Sequence, residues 1–186
     1  MEIAVLDACV LFRGGVRDFL LWTAEAGAFS PAWSNMIHEE WMRSRRDKYG
    51  DPASRLSYAR SQMEQAFPGA SFDPEPATLN MLSLPDMNDV HVVATAVAAE
   101  AQTIITYNVG HFPHQALAAI GLRAETPDAF VSRLIFVAQA EIVEGARLHR
   151  ASLKSPAYDA SAYLEHLASQ QLAQTADVLK AFQHLI

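Results

Sequence analysis

The chain is short of several things, and each shortage excludes a class of protein. It has one cysteine, Cys9, in 186 residues. A single thiol rules out an internal disulfide framework and any multi-cysteine metal site, and Cys9 reads as a small, partly buried core residue. Its apolar runs fall far below the roughly 20 residues needed to cross a bilayer, so no membrane partner is expected. No basic region precedes the apolar opening Glu2-Ile3-Ala4-Val5-Leu6. That pattern is not a secretory signal, and a cytoplasmic location is expected. There is no glycine-rich phosphate loop, no His-Glu-x-x-His helix and no serine nucleophile elbow. P-loop nucleotide hydrolysis, zinc proteolysis and ester hydrolysis lose support accordingly. Positive charge is also scarce, for the net charge is −7.

What is present supports a folded protein. The chain is 51% hydrophobic and 19% charged, enough to build a core and unlike a disordered segment. Its length suits one domain, or one domain with an appendage. The charge is unevenly spread. Arg43, Arg45, Arg46, Lys48, Arg55 and Arg60 stand against only Asp47 and Asp51 in residues 43–60, whereas residues 61–128 carry Arg123 as their one base. A metal nuclease needs both kinds of region, acids for the cation and bases for the phosphate backbone.

Strand and helix signals alternate along the first two thirds of the chain. Ile3–Leu6 and Thr103–Thr106 read as buried strands, with a short strand near 122–125. Helices are expected at 16–26, from the Ser34 cap to Tyr49, from Asp51-Pro52 to about 67, from the Asp86 cap to about 101, and near 114–120. Residues 70–84 are broken by proline and are expected to hold a short strand and a helical turn. This alternation predicts an α/β fold with a mainly parallel sheet. After Thr126-Pro127-Asp128 only helix signals remain, at about 127–153 and 159–184. The reading is a domain over 1–130 and a helical C-terminal extension over 131–186. The extension's apolar stripes, Phe130, Leu134, Val137 and Ala138, then Leu164, Leu167, Ala168 and Leu172, must be buried against something.

Four residues stand at the ends or on the inner faces of these elements: Asp7, Glu40, Asp89 and Asn108. Ligands of open α/β sheets gather outside the carboxyl ends of parallel strands. Oxygen donors converging there suit Mg²⁺ or Mn²⁺. Helix phase favours Glu40 over Glu39. Met36, Ile37 and Trp41 define an apolar arc, and Glu40 falls within roughly 40° of its centre while Glu39 points nearly the opposite way. Asp86 reads as an N-cap, Thr106 as a further oxygen donor near a strand end. His91 and His111 read as structural or surface residues.

The segments Val5-Leu6-Asp7-Ala8-Cys9-Val10-Leu11, Ser34-x-x-Ile37-x-x-Glu40, Asp86-x-x-Asp89 ahead of Val93-Ala94-x-Ala96, and Ile104-Ile105-Thr106-Tyr107-Asn108 ahead of Phe112-Pro113 together resemble the PIN-domain family. The resemblance is to the VapC-like toxins of bacterial toxin–antitoxin pairs and covers roughly residues 1–130. It implies a three-layer α/β/α fold and a Mg²⁺- or Mn²⁺-dependent endoribonuclease. By position it assigns Asp7, Glu40 and Asp89 as the acids of the metal site. Asn108 stands where many members carry a fourth acid, and Ala8 where the toxins often carry threonine.

The resemblance and the residues then agree on metal-assisted hydrolysis of RNA. Asp7, Glu40 and Asp89 would hold the cation, Asn108 would orient a water or the metal shell, and Arg43, Arg46 and Lys48 would contact flanking phosphates. A cognate antitoxin is the implied protein partner, and the helical tail is expected to shape the antitoxin site or to cover a homodimer surface. Two rivals remain. One is a degenerate PIN fold that only binds RNA or protein. The other is an aspartate-nucleophile phosphatase, disfavoured because Cys9 occupies the place of its usual second aspartate.

Overall fold

Two aliphatic runs form the middle of a parallel sheet. β1 (Ile3–Leu6) and β3 (Thr103–Ile105) are almost wholly buried, as strands covered on both faces should be. Ala4 lies opposite Thr103 and Leu6 opposite Ile105. β2 (Ser30–Ala32) and β4 (Arg123–Glu125) add parallel edges, in the order β2-β1-β3-β4. The structure is a computed structural model that describes residues 1–75, 84 and 86–186. β2 has no clear strand signal, because Pro31 interrupts it. Proline is admitted to strands at sheet edges, where a missing N–H does no harm.

The helices around the sheet begin and end where their caps dictate. α1 (Ala8–Leu11) leaves β1 directly. α3 (Asn35–Tyr49) starts where the Ser34 hydroxyl accepts a hydrogen bond from the Ile37 amide, and stops at Gly50 in the left-handed region. α4 (Ala53–Ala66) follows. The Asp86 carboxylate accepts from the Asn88 amide and opens a 3₁₀ turn, Met87–Asp89, that runs into α5 (Val90–Ala98). α5 is rich in valine and alanine, is buried along most of its length, and packs on β1 and β3. A second 3₁₀ turn (Val109–His111) and α6 (His114–Ala118) connect β3 to β4. Ser71 makes an isolated parallel bridge to Trp33. The remainder of the expectation for 70–84 falls on residues 76–83, which lie outside the described residues.

The chain divides into two compact units. One comprises residues 2–12 and 30–125, and holds the sheet with α1 and α3–α6. The other comprises Met1, residues 13–29 and residues 126–186. It joins α2 (Gly14–Glu25) to α7 (Pro127–Leu134), α8 (Gln139–Ser152), α9 (Ala160–Ser169), α10 (Ala173–Leu179) and a final 3₁₀ turn, Lys180–Leu185. α2 and α8 meet closely, for a Cβ at Gly145 would lie 2.5 Å from the Thr23 Cα. Asp128 accepts from the Gln174 and Thr175 amides and so caps α10 from α7. Phe29 and Phe130 pack edge to face with centroids 5.0 Å apart.

The α/β class, the parallel sheet and the C-terminal helices match expectation. The tail differs in detail. Four α-helices stand where two were expected. Phe136 and Val137 bond back to the carbonyls of Arg133 and Leu134 in a tight turn, and Gln171 takes a positive φ that ends α9. Apolar periodicity runs on through the first break, which hides it. Val137 is accordingly 81% exposed rather than buried, and Ala168 is exposed as well.

Candidate metal centre

The strand order reverses about β1 and β3, so a crevice opens at their carboxyl ends. Asp7 is the first residue after β1, and Thr106 is the first after β3. The parallel register therefore sets them side by side. The Thr106 hydroxyl donates to Asp7 Oδ2 at 2.6 Å, and the Cys9 thiol donates to the same oxygen at 3.1 Å. Cys9 Sγ in turn accepts from the Tyr107 amide, and Thr106 Oγ1 from the Asn108 amide. Asp7 sits at the N-cap position of α1, yet its side chain makes no capping bond. Its carboxylate is engaged by Thr106 and Cys9 instead.

α3 supplies the second wall. Its buried stripe is Ile37, His38 and Trp41. His38 belongs to that stripe because its Nδ1 accepts from the Trp41 indole at 2.9 Å. Met36 does not belong to it and is 43% exposed, which corrects the expected arc. Met36, Glu39, Glu40 and Arg43, spaced i, i+3, i+4 and i+7, line an open cleft of about 590 Å³. Glu39 thus lies on the cleft side rather than away from it, although it is exposed. Glu40 is half-buried, and its Oε2 lies 3.2 Å from His91 Nε2.

The opening of α5 faces α3 across the cleft, with Asp86, Asn88, Asp89 and His91 on the wall. Asp89 is buried and sits at the positive end of α5, which favours a carboxylate there. His111, from the turn after β3, places Nδ1 2.7 Å from Asp89 Oδ2. Asn108 completes the lining.

The crevice thus brings together Glu40, Asp89, Asn108 and Arg43, while Asp7 lies buried beside them and feels the charges of Glu40 and Asp89. Two residues assigned to phosphate contact stand elsewhere. Arg46 lies 3.8 Å from Asp47 on the surface. Lys48 sits over the stacked rings of Phe12 and Tyr49, 5.4 and 5.3 Å from their centroids.

Electrostatics follow from this crowding. Burial pushes the Asp7 carboxyl above its ordinary range. Hydrogen bonds from Thr106 and Cys9 pull it down, and the negative charges of Glu40 and Asp89 push it up again. Burial and the charge of Asp7 raise the Cys9 thiol to about 12, so it serves as a hydrogen-bonding group and not as a thiolate. Burial opposes protonation of His91, but Glu40, the Asn88 carbonyl and Asp7 outweigh it and raise its pKa.

A family model described as PIN domain matches residues 4–110. The chain belongs to the PIN-domain family. A second model, described as VapC50 C-terminal domain, matches residues 127–181, the span of α7–α10. Comparisons with curated proteins and with solved structures found no match.

The residues of this PIN domain fit a divalent cation. An aspartate whose carboxyl is raised chiefly by burial, and further by the charges of Glu40 and Asp89, needs a proton or a cation to balance its charge, and the cleft offers hard oxygen donors beside it. Asp86, Asp89 and His111 also each present a donor atom within 4.8 Å of one another. Sequence reasoning set aside His91, His111 and Cys9. For the histidines, the usable signal was proximity to the acids, His91 two residues after Asp89 and His111 three after Asn108.

Proposed function

We propose that this PIN domain is a divalent-cation-dependent endoribonuclease, the toxin of a toxin–antitoxin pair. The observation that carries the reading is the electrostatic convergence of Glu40 and Asp89 on the buried Asp7 at the strand-order reversal. Membership of the PIN family and the VapC50-type C-terminal match support it.

Asp7, Glu40 and Asp89 would hold Mg²⁺ or Mn²⁺. Such a cation supplies Lewis acidity and a more acidic bound water for hydrolysis of a phosphodiester. Thr106 and Cys9 fix the rotamer of Asp7 by bonding one of its oxygens and leaving the other uncommitted to them. Asn108 presents an uncharged amide at the cleft edge, suited to orienting a water through hydrogen bonds. Arg43 is the basic residue of α3 that reaches the cleft wall, and there it would bind a phosphate flanking the scissile bond. Arg46 and Lys48, further along α3, would bind phosphates more remote from the chemistry. The C-terminal helices, with Phe136 and Val137 exposed, suit contact with an antitoxin protein or a second copy.

Incubation with total RNA, with and without Mn²⁺ or Mg²⁺, and mapping of the cleaved ends tests the reading. Cleavage by the wild type should need the cation. Asp7→Asn and Asp89→Asn should each abolish it while the far-ultraviolet dichroism stays the same. Undiminished cleavage by either variant would sink the site assignment. Cation-independent RNA binding without cleavage by the wild type would favour a binding module.

A further inference from the structure

The cleft is larger than an ion requires. It offers about 590 Å³, whereas a cation with six waters takes up on the order of 200 Å³. Space of this size suits a small organic group beside the ion. Among the described residues that line the cleft, Met36 alone is apolar. It is 43% exposed and stands outside the buried stripe of α3, so packing of the core does not account for it.

The two walls differ in chemistry, and each is held in place by local bonds. On α3, the Ser34 hydroxyl accepts from the Ile37 amide, and the Asp73 carboxylate accepts from the Asn35 amide and carboxamide at 2.8 and 2.6 Å. These bonds fix the main chain on both sides of Met36. On the facing wall, the Asn88 amide donates to Asp86 Oδ1 at 2.9 Å, and the Asn88 carbonyl oxygen lies 2.7 Å from His91 Nδ1. The main chain of Asn88 is thus tied at both ends. Its side chain is exposed on the cleft and makes no hydrogen bond to a described residue.

A flexible thioether adapts to aromatic surfaces of differing shape, and a carboxamide offers a donor and an acceptor side by side. Together they match an unpaired nucleobase, which proteins recognise in RNA through its face and its hydrogen-bonding edge. The order along α3 sets the direction, for Met36 precedes Glu40 by about 6 Å of helix rise and Arg43 follows it by about 4.5 Å. The geometry points to a base-reading subsite, in which Met36 packs on the face of one unpaired base beside the scissile phosphate and Asn88 bonds its edge. The base lies on the side of Glu40 away from Arg43. This rests on the nuclease reading above and deepens it, making the substrate single-stranded and the cut sequence-selective.

The test uses the full chain with Mn²⁺ and a pool of unstructured RNAs of random sequence, with both new ends sequenced. The wild type should enrich one base at a position adjoining the cut by at least about fivefold. Asn88→Leu should even out that position while cation-dependent cleavage persists, and Asn88→Gln, which keeps the carboxamide, should retain a preference. Met36→Ala should raise KM about three- to tenfold with kcat unchanged, and Met36→Leu by less than about twofold. Fully paired RNA should be cut at least about tenfold more slowly, because unpairing costs free energy. Each variant should bind Mn²⁺ and unfold thermally as the wild type does. The proposal is overturned, with the nuclease reading intact, by any of four results: no enrichment in the wild type, enrichment that survives in Asn88→Leu, an unchanged KM in Met36→Ala, or equal cutting of paired RNA. Absence of cation-dependent cleavage by the wild type overturns both.

Discussion

The Thr106 hydroxyl donates a 2.6 Å hydrogen bond to Asp7 Oδ2 across the β1–β3 pair. Both residues follow their strands by one position, so the sheet register itself places the bond. Thr106 is buried and carries no charge, yet it holds the most deeply buried acid of the site in one orientation. Thr106→Val keeps the shape and removes the donor. It should leave the fold intact and weaken Mn²⁺ binding by about 1.5–3 kcal/mol, the usual worth of a hydrogen bond to a charged partner. Calorimetric titration with Mn²⁺ checks this. Binding equal to wild type would mean that Asp7 needs no such support.

Glu40 and Glu39 share the cleft face of α3 but differ in burial and in partners. Glu40 is half-buried and close to His91, whereas Glu39 is exposed on the same wall. Glu40→Gln should lower the rate of RNA cleavage by at least about tenfold, or 1.4 kcal/mol of barrier. Glu39→Gln should change it by less than about threefold. Initial rates on one RNA substrate decide between them, and equal losses would show that the two carboxylates act together.

The basic residues of α3 should separate in binding assays. Arg43 lines the cleft, while Lys48 is engaged with Phe12 and Tyr49. Arg43→Ala should reduce RNA affinity and lower the slope of log affinity against log salt by about one. Lys48→Ala should alter that slope less and cost about 0.5–1 kcal/mol of stability through the lost cation–π contact. Salt titrations of RNA binding and urea unfolding measure the two effects. A larger slope change for Lys48 would show that the strand path follows the other face of the helix.

The residues of the candidate site were legible in the sequence because each stands at a place where period and position coincide. Asp7 ends an apolar strand, Asp89 opens an alanine-rich helix, Asn108 follows a second strand, and Glu40 lies a fixed distance from the Ser34 cap. What the sequence concealed was polar groups that satisfy one another. His38 passes as surface until the Trp41 indole is seen to bond it inside the stripe. Cys9 passes as core filler until its thiol is found on Asp7. β2 was hidden by Pro31, and the break between α7 and α8 by periodicity that continues through a turn. α2 follows β1 closely in the chain but is grouped with the C-terminal helices, a long-range pairing that no local pattern reports.

His149 should make the stability of its own unit depend on pH. Burial lowers its pKa from 6.5 to about 4, with the Asp18 charge opposing and that of His166 assisting, and its Nδ1 lies 2.9 Å from the Tyr163 hydroxyl. The folded state therefore holds the neutral ring. Its contribution is complete above the unfolded value near 6.5 and is lost as the pH falls through about 4. The loss is on the order of 3 kcal/mol. Urea midpoints between pH 7.5 and 4 should fall more steeply for the wild type than for His149→Gln. Parallel curves would show that other groups govern the acid limb.

The close approach of Gly145 to Thr23 joins a helix made before the last strand of the sheet to one made after it. By the time β4 leaves the ribosome, every strand of the sheet has emerged and the first unit can close. α2 has emerged too, with Val16, Phe19, Leu20, Thr23 and Ala24 on the face that it will bury, but its partner α8 has not. A nascent chain stalled near Glu125 would display that apolar face to any chaperone or neighbouring chain within reach. The second unit can mature only after α8 and the helices that follow it have emerged.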